Sequence, residues 1–315
     1  MTFAEDGTNH STNTHSDFVE HYESFLDAAY RSPTNGGNGR WKLVQGIADQ
    51  LQDRKISTLL DCAVGTGFPA LDLACHPLLP KLRIHATDAD DLMLGVFADR
   101  LKTDGRTTVA QFAPPCRMQL GGDSVSALRI AWEDLSKIRR TYDYVMCRGN
   151  SLTYGNTWGG GREVSSGGAV RAHLEEMARL VKPGGYLHVD APRRLELPEQ
   201  RYERVTIGGI AISERVTNEP DCRHWTVRFD LPGGQYLVFD RYSTLLTISD
   251  VQEMLKEMGF IETDPVQLYG ERPGFGVIIA KKPSSKEQSP DDDLDDGRRV
   301  NSLDNVYQSG EGDFS

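Results

Sequence analysis

The sequence predicts an α/β protein: a doubly wound, mostly parallel sheet with an N-terminal helical cap and a small antiparallel β insertion. Three observations predict it. From Ile56 onward, short apolar runs alternate with segments of helical periodicity, the order expected of parallel strands joined by helical crossovers. The first apolar run ends in small residues, Ala63, Gly65 and Gly67, immediately before a helix candidate. After Pro198 the helices stop and apolar residues alternate with polar ones, as antiparallel strands with one solvated face require.

Residues 1–16 are polar and poor in apolar side chains, too few to offset the entropy of ordering, and disorder is expected there. Phe18, Tyr22, Phe25, Leu26 and Ala29 stand at helical spacing, and a Gly/Asn-rich break at 34–39 separates them from a second helix over Trp41–Leu51; the two form the cap, residues 17–54. The core, residues 55–197, has expected strands at Thr58–Cys62, Leu82–Thr87, Ala127–Trp132, Tyr144–Cys147 and Tyr186–Asp190. Its helices are expected at Phe68–Cys75, Leu92–Leu101 and Ala169–Val181, the last halted by Lys182-Pro183-Gly184-Gly185. The antiparallel subdomain, residues 198–247, alternates over Tyr202–Val216, His224–Phe229 and Gln235–Leu246, with a tight connection at Pro232-Gly233-Gly234. A helix over Val251–Met258 and a strand over Phe275–Ala280 complete the core in residues 248–283, and an acidic, disordered tail is expected over 284–315.

A chain of 315 residues buries a substantial core, and two independent domains are not required. No stretch approaches the roughly 18 uninterrupted apolar residues of a membrane helix, and the N-terminus lacks the basic start and apolar centre of a secretory signal, so a soluble cytoplasmic protein without a membrane partner is expected. Five scattered cysteines without C-x-x-C spacing argue against a disulfide framework and against a metal site. From Pro283 to Ser315 nine acidic residues face three basic ones, more than half of the net charge of -11. The tail could dock a partner, although a charge run is usually simply solvated. The remaining body has no basic groove to follow a phosphate backbone, which excludes nucleic acid as the expected substrate.

The sharpest local signal is the run from Leu60 to Gly67, LDCAVGTG, between an expected strand and an expected helix. Small residues there let backbone approach a ligand, and the helix start offers N–H groups. A purely structural turn remains the alternative. The spacing is A-x-G-x-G rather than the dinucleotide fingerprint G-x-G-x-x-G, which disfavours a nicotinamide-dependent oxidoreductase. Asp61 closes the strand before this loop. Asp88 ends the second strand, 21 residues beyond Gly67, where a carboxylate can accept both ribose hydroxyls; Asp90 or Asp91 caps the next helix. Trp132 follows the third strand as an adenine platform or a core aromatic, and Met93 is an adenine neighbour or core.

At these residues the chain resembles the class I S-adenosylmethionine-dependent methyltransferases, whose sheet is Rossmann-like, and within them the glycine and glycine/sarcosine N-methyltransferase group. The resemblance runs from about Tyr22 to Lys282 and rests on LLDCAVGTG (59–67), TDADDLM (87–93), YDYVMCRGNS (142–151), LVKPGGYLHVD (180–190) and FGVIIAKK (275–282). It implies S-adenosyl-L-methionine as cofactor, held by Trp41, Asp61, Ala63, Gly65, Gly67, Asp88, Met93, Trp132 and Cys147, with Arg40 and Trp41 at its methionine end. It also implies a small-molecule acceptor. The Gly149-Asn150-Ser151 triplet is the group's more specific mark, and it implies that Asn150 faces the reacting amine; a turn asparagine is the plain alternative. Methyl transfer from a sulfonium draws much of its acceleration from alignment. Asn150 and Tyr242 are the candidate catalytic residues. Tyr22, Asn150, Tyr154 and Arg193 are the candidate substrate contacts, with Tyr202 a further pocket candidate. The resemblance leaves monomer and homo-oligomer both open.

The chain also departs from the group. Pro192 stands where an arginine would grip the substrate carboxylate, and Arg193 follows one residue later. Arg148 replaces an apolar residue before the triplet, Ala131 replaces a polar one before Trp132, and a glycine-rich insertion spans 155–168. The expected activity is therefore methyl transfer to the nitrogen of a small polar acceptor (amino acid, amine or amino sugar), with transfer to oxygen or carbon on the same fold as the alternative. A binding protein of this fold that has lost turnover is the third reading.

Overall fold

The computed structural model describes residues 14–31, 39–103, 117–118, 125–155, 166–194, 200–201, 205–272, 274–285 and 287. Tyr202, nearly all of the acidic tail and most of the glycine-rich insertion lie outside them. Two helices, α1 (His15–Arg31) and α2 (Gly39–Asp53), precede a main sheet built from β1 (Thr58–Asp61), β2 (Arg83–Asp88), β3 (Arg117–Met118), β4 (Val125–Arg129), β5 (Tyr142–Cys147), β6 (Val181–Pro192), β12 (Pro265–Val266) and β13 (Phe275–Lys281). Its order is β12-β13-β6-β5-β1-β2-β4-β3. β6, β5, β1, β2 and β4 run parallel, and β13, β12 and β3 join antiparallel at the edges. The chain steps from β1 to β2 to β4 in one direction and then returns to β5 on the other side of β1. Such a switch point opens a crevice at the carboxyl ends of the strands, where open α/β sheets bind their ligands. Helices α3 (Ala70–Ala74), α4 (Asp91–Thr103), α5 (Ser151–Tyr154), α6 (Gly167–Arg179) and α7 (Ile248–Glu257) cover the sheet. All four residues of β1 are buried, as a strand sandwiched between helical layers must be.

The second sheet contains β7 (Gln200–Arg201), β8 (Val205–Ile207), β9 (Ile210–Asn218), β10 (Arg223–Asp230) and β11 (Tyr236–Ser243), in the order β11-β10-β9-β7 with β8 paired to β9. The register sets Trp225 between Val216 and Arg241, and Phe229 between Ile212 and Leu237. These residues share one face because strand side chains alternate. Helix α1 lies on that face: the Phe18 ring is 5.1 Å from Phe239 and 6.3 Å from Trp225. The other side of α1 is tied to α2 and α4, with Glu23 accepting from Arg40 at 3.1 Å and from Arg100 at 2.9 Å. α1 is thus an inner layer between the second sheet and the core, not only a cap.

Three local expectations are corrected. Disorder was expected through Ser16, whereas α1 already begins at His15, because Thr14 and Asp17 exchange hydrogen bonds across its first turn. Trp132 leaves the third core strand for a 3-10 turn, Trp132–Lys137. The Lys182-Pro183-Gly184-Gly185 segment does not stop a helix reaching Val181. α6 ends at Arg179, and the segment opens β6, where the pairing with β5 shifts register between Tyr142 and Tyr144.

Candidate active site

The ends of β1, β2, β4 and β5 surround a cavity of about 460 Å³, roofed by α1, a size proper to a small-molecule site. The loop after β1 forms its floor. Gly65 takes φ 53°, and a Cβ there would point at the Tyr22 ring 4.0 Å away. Its N–H donates to Asp88 Oδ2 at 2.8 Å, and the Asp90 N–H donates to Asp88 Oδ1 at 3.0 Å. A carboxylate has about four acceptor sites, so Asp88 keeps capacity for hydroxyls. Its burial pushes its pKa up to about 6, against the pull of the backbone N–H groups of Asp90, Gly65 and Ala89. Asp90 caps α4 through the Leu92 and Met93 N–H groups at 2.9 and 3.2 Å, while Asp91 pairs with Arg129. Trp132 donates its indole N–H to the Cys62 carbonyl at 2.6 Å. That bond fixes the ring edge and turns the ring to the cavity, with His173 edge-on at 5.3 Å.

The turn after β5 makes the opposite wall. Asp190, near the end of β6, accepts from the Gly149 N–H at 3.0 Å and the Asn150 N–H at 2.8 Å. This grip holds Asn150 at φ 62°, a left-handed conformation tolerated by asparagine and otherwise costly. Asn150 is 5% exposed, and among the described residues its side-chain Oδ1 has no hydrogen-bond partner. Such a buried acceptor costs about 1–3 kcal/mol unless something donates to it. Asn150 lines a second, smaller chamber of about 60 Å³ that shares Tyr22, Gly149 and Tyr154 with the larger cavity. Burial drives the Tyr22 hydroxyl far up and the Tyr154 hydroxyl to about 12, so both stay neutral donors.

The structure brings Tyr22, Ala63, Gly65, Asp88, Met93, Trp132 and Tyr154 to the larger cavity, and Asn150 to the chamber joined to it. Seven candidates stand elsewhere. Gly67 faces inward, where a Cβ would meet Leu71 and Phe97 at 2.6 Å, so its role is helix packing. Asp61 and Cys147 are buried beneath the loops at the strand ends; the Asp61 carboxylate accepts from Ala63 N–H, and burial raises its pKa to about 7. Trp41 is 62% exposed and borders a separate depression of about 430 Å³ with Arg40 and Phe68. Arg40 itself is spent on Glu23 and Asp27 of α1. Tyr242 stacks on His224 at 4.7 Å on the outer face of the second sheet, because its neighbour Arg241 takes the inward position. Arg193 is drawn to β13, donating to the Phe275 carbonyl at 2.7 Å.

Several cavity residues were not singled out from sequence. His15 joins Asp90 and Arg241 at the edge of the larger cavity. Glu214, Arg223 and Arg272 line the small chamber. The signal for the first two was present: each falls in phase with the apolar face of its strand. Arg148 also finds its explanation. It is buried and pairs with Glu271, with Asp190 3.7 Å away.

No family model matches the chain. In sequence it is similar to a glycine/sarcosine/dimethylglycine N-methyltransferase of Actinopolyspora halophila, 22% identical over 283 residues, which cover 84% of this chain and 41% of the relative. The chain therefore spans well under half the length of that curated relative. Among solved structures it is similar to an S-adenosylmethionine-dependent methyltransferase of Clostridium acetobutylicum, with TM-score 0.59 and 15% identity over 84% of this chain and 99% of the other. It is similar to an S-adenosylmethionine-bound amino pentose methyltransferase of calicheamicin biosynthesis from Micromonospora echinaspora, with TM-score 0.59 and 17% identity over 83% and 96%. The fold is that of the Rossmann-like, class I S-adenosylmethionine-dependent methyltransferases.

Proposed function

We propose that this protein is an S-adenosylmethionine-dependent methyltransferase that methylates the nitrogen of a small polar acceptor. The larger cavity fits the cofactor: a buried carboxylate, Asp88, with acceptor capacity for ribose hydroxyls, an indole face at Trp132 for a purine, and a buried Met93 beside it. When bound there, S-adenosylmethionine supplies an electrophilic methyl group on a sulfonium. The chain's own contribution is placement. Asp190 locks the Gly149-Asn150-Ser151 turn, and Asn150 lines the small chamber that adjoins the larger cavity.

The unsatisfied Asn150 Oδ1 supports this reading. An amide oxygen accepts hydrogen bonds and donates none, so it can orient an N–H of the acceptor, and a neutral amine, unlike a hydroxyl, attacks without a base beside it. Tyr22 and Tyr154 close the walls around the reacting atoms, and their neutral oxygens can face developing positive charge. Transfer to oxygen is the second reading. It is favoured by Glu214, a carboxyl in the small chamber whose pKa burial raises and which could take a hydroxyl proton.

Among the described residues no helix is long and apolar enough to cross a membrane. The test is incubation of the full chain with tritium-labelled methyl donor and matched panels of small amines and hydroxylated analogues. Label in the amines alone is the expected result. Label only in the hydroxyl compounds overturns the nitrogen assignment, and failure to bind the donor in calorimetry overturns the whole reading.

A further inference from the structure

The turn that joins β9 to β10 gathers side chains of metal-ligand type outside the two methyl-transfer chambers. Glu219, Pro220, Asp221 and Cys222 form it, closed by the Glu219 N–H donating to the Cys222 carbonyl at 2.8 Å. One ligand atom each of Glu219, Asp221 and Cys222 lies within 4.8 Å of the other two. The Cys222 thiol belongs to a side chain buried in the fold and donates to Glu219 Oε2 at 3.6 Å. His224, two residues further on, brings its Nδ1 to 3.5 Å from Glu219 Oε1. The imidazole is set from its far side: Nε2 lies 2.8 Å from Asp240 Oδ1 on β11, and the ring stacks on Tyr242 at 4.7 Å. In a neutral imidazole that donates from Nε2 to Asp240, Nδ1 is a bare lone pair, here aimed at a second carboxylate. A cation between the two relieves that repulsion. A carboxylate behind the ring is also what fixes the tautomer and orientation of metal-bound histidines.

We propose that Glu219, Asp221, Cys222 and His224 form a site for one divalent metal ion of the zinc class, which clamps the turn between β9 and β10. Zinc bonds of about 2.0–2.3 Å give tetrahedral ligand-to-ligand edges of about 3.3–3.6 Å, and the two contacts of Glu219 stand at 3.5 and 3.6 Å. Asp221 is exposed, so it can turn inward as a ligand and leaves an entry path from solvent. Thiol sulfur and imidazole nitrogen beside carboxylates favour zinc or cobalt over magnesium and calcium, which take all-oxygen sets. On binding, the Cys222 thiol gives its proton to solvent and the thiolate bonds to the ion. Cysteine spacing carries no sign of such a site, because it joins one thiol to three ligands of other types. The ion's place is structural, at the start of the strand from which Arg223 reaches the small chamber. It stands or falls independently of the methyl-transfer reading.

The full chain, stripped with a chelator and kept reduced, is titrated with zinc chloride by calorimetry and with cobalt(II) chloride by absorption. One equivalent of zinc is expected to bind with micromolar or tighter affinity, and magnesium at least about a hundredfold more weakly. Cobalt is expected to give a thiolate charge-transfer band in the near ultraviolet. That band should vanish in Cys222→Ser, and zinc affinity should fall by at least about tenfold in His224→Gln and in Asp221→Asn. Both signals should persist in Cys75→Ser, which removes the exposed thiol after α3. Zinc saturation should also raise the melting temperature by several degrees. If Cys222→Ser does not fold, Asp221→Asn, altered at an exposed position, decides: unchanged zinc affinity overturns the site. Binding of neither metal at millimolar concentration overturns it and leaves His224 as an imidazolium bridging two carboxylates. A band lost in Cys75→Ser instead moves the thiol ligand to the end of α3. Cobalt bound without any thiolate band, or magnesium bound as tightly as zinc, reduces the turn to an acidic surface, and either result overturns the inference.

Discussion

Asp88→Asn is expected to weaken cofactor binding while removing a pH-dependent burden on the fold. Two hydrogen bonds from ribose hydroxyls to a carboxylate are each worth about 1.5–3 kcal/mol. The amide retains one acceptor oxygen, so the dissociation constant should rise by about tenfold to a hundredfold. The stability effect has the other sign. Burial lifts the Asp88 pKa from 3.8 to about 6, so between those values the folded chain binds the proton that the unfolded chain has released. Stability from this group is therefore fully present below pH 3.8 and is lost as pH rises to about 6. The loss is at most about 3 kcal/mol, from 1.36 kcal/mol for each pKa unit. The amide escapes that loss but turns an N–H toward the Gly65 or Asp90 N–H, which gives back about 1–3 kcal/mol. The assay is urea unfolding of both proteins at pH 4.5 and pH 7.5, with calorimetric titration of S-adenosylmethionine at the higher pH. The stability difference between variant and wild type should move in the variant's favour as pH rises. Parallel pH profiles together with unchanged cofactor affinity would refute the role given to Asp88.

Asn150→Ala should lower kcat by about tenfold to a hundredfold, as expected for losing one orienting hydrogen bond, with cofactor affinity unchanged in calorimetry; an unaltered kcat removes Asn150 from the reaction. Glu271→Gln leaves the buried Arg148 without its close carboxylate and should destabilise the fold by about 3 kcal/mol, the lower end for a broken buried pair, since Asp190 stays near; chemical denaturation measures it. Phe18→Ala removes the ring that α1 buries among Trp225, Phe229 and Phe239. It should cost about 3–5 kcal/mol in the same assay.

Local signals made the parallel core legible. The period of α1 and α4, the buried runs of β1 and β5 and the small-residue loop after β1 are written in consecutive residues, and the topology follows from their alternation. The larger cavity was legible for the same reason, since Ala63, Gly65, Asp88 and Trp132, which line it, follow strand ends directly. What lay beyond reach depended on distant pairing. Arg193 points away because Pro192 pairs with Phe275, eighty-three residues later. In β11 the two phases, Tyr236-Val238-Asp240-Tyr242 and Leu237-Phe239-Arg241-Ser243, are similarly mixed in polarity. Only the packing of Phe239 on Phe18 selects the second as inward and sends Tyr242 out.

The departures from the N-methyltransferase pattern at Arg148 and Pro192 are physically linked. Arg148 holds Glu271, and Glu271 in turn accepts the Arg272 N–H at 2.9 Å, so the segment before β13 is pinned with Arg272 facing the small chamber. An apolar side chain at position 148 would strand the buried Glu271 carboxylate and release that segment. The same guanidinium lies 3.7 Å from Asp190, whose carboxylate fixes the backbone of Asn150. One buried arginine therefore ties together the turn that holds Asn150 and the segment that carries Arg272. Pro192 pairs with Phe275 at the start of β13, so both departures bear on the same segment.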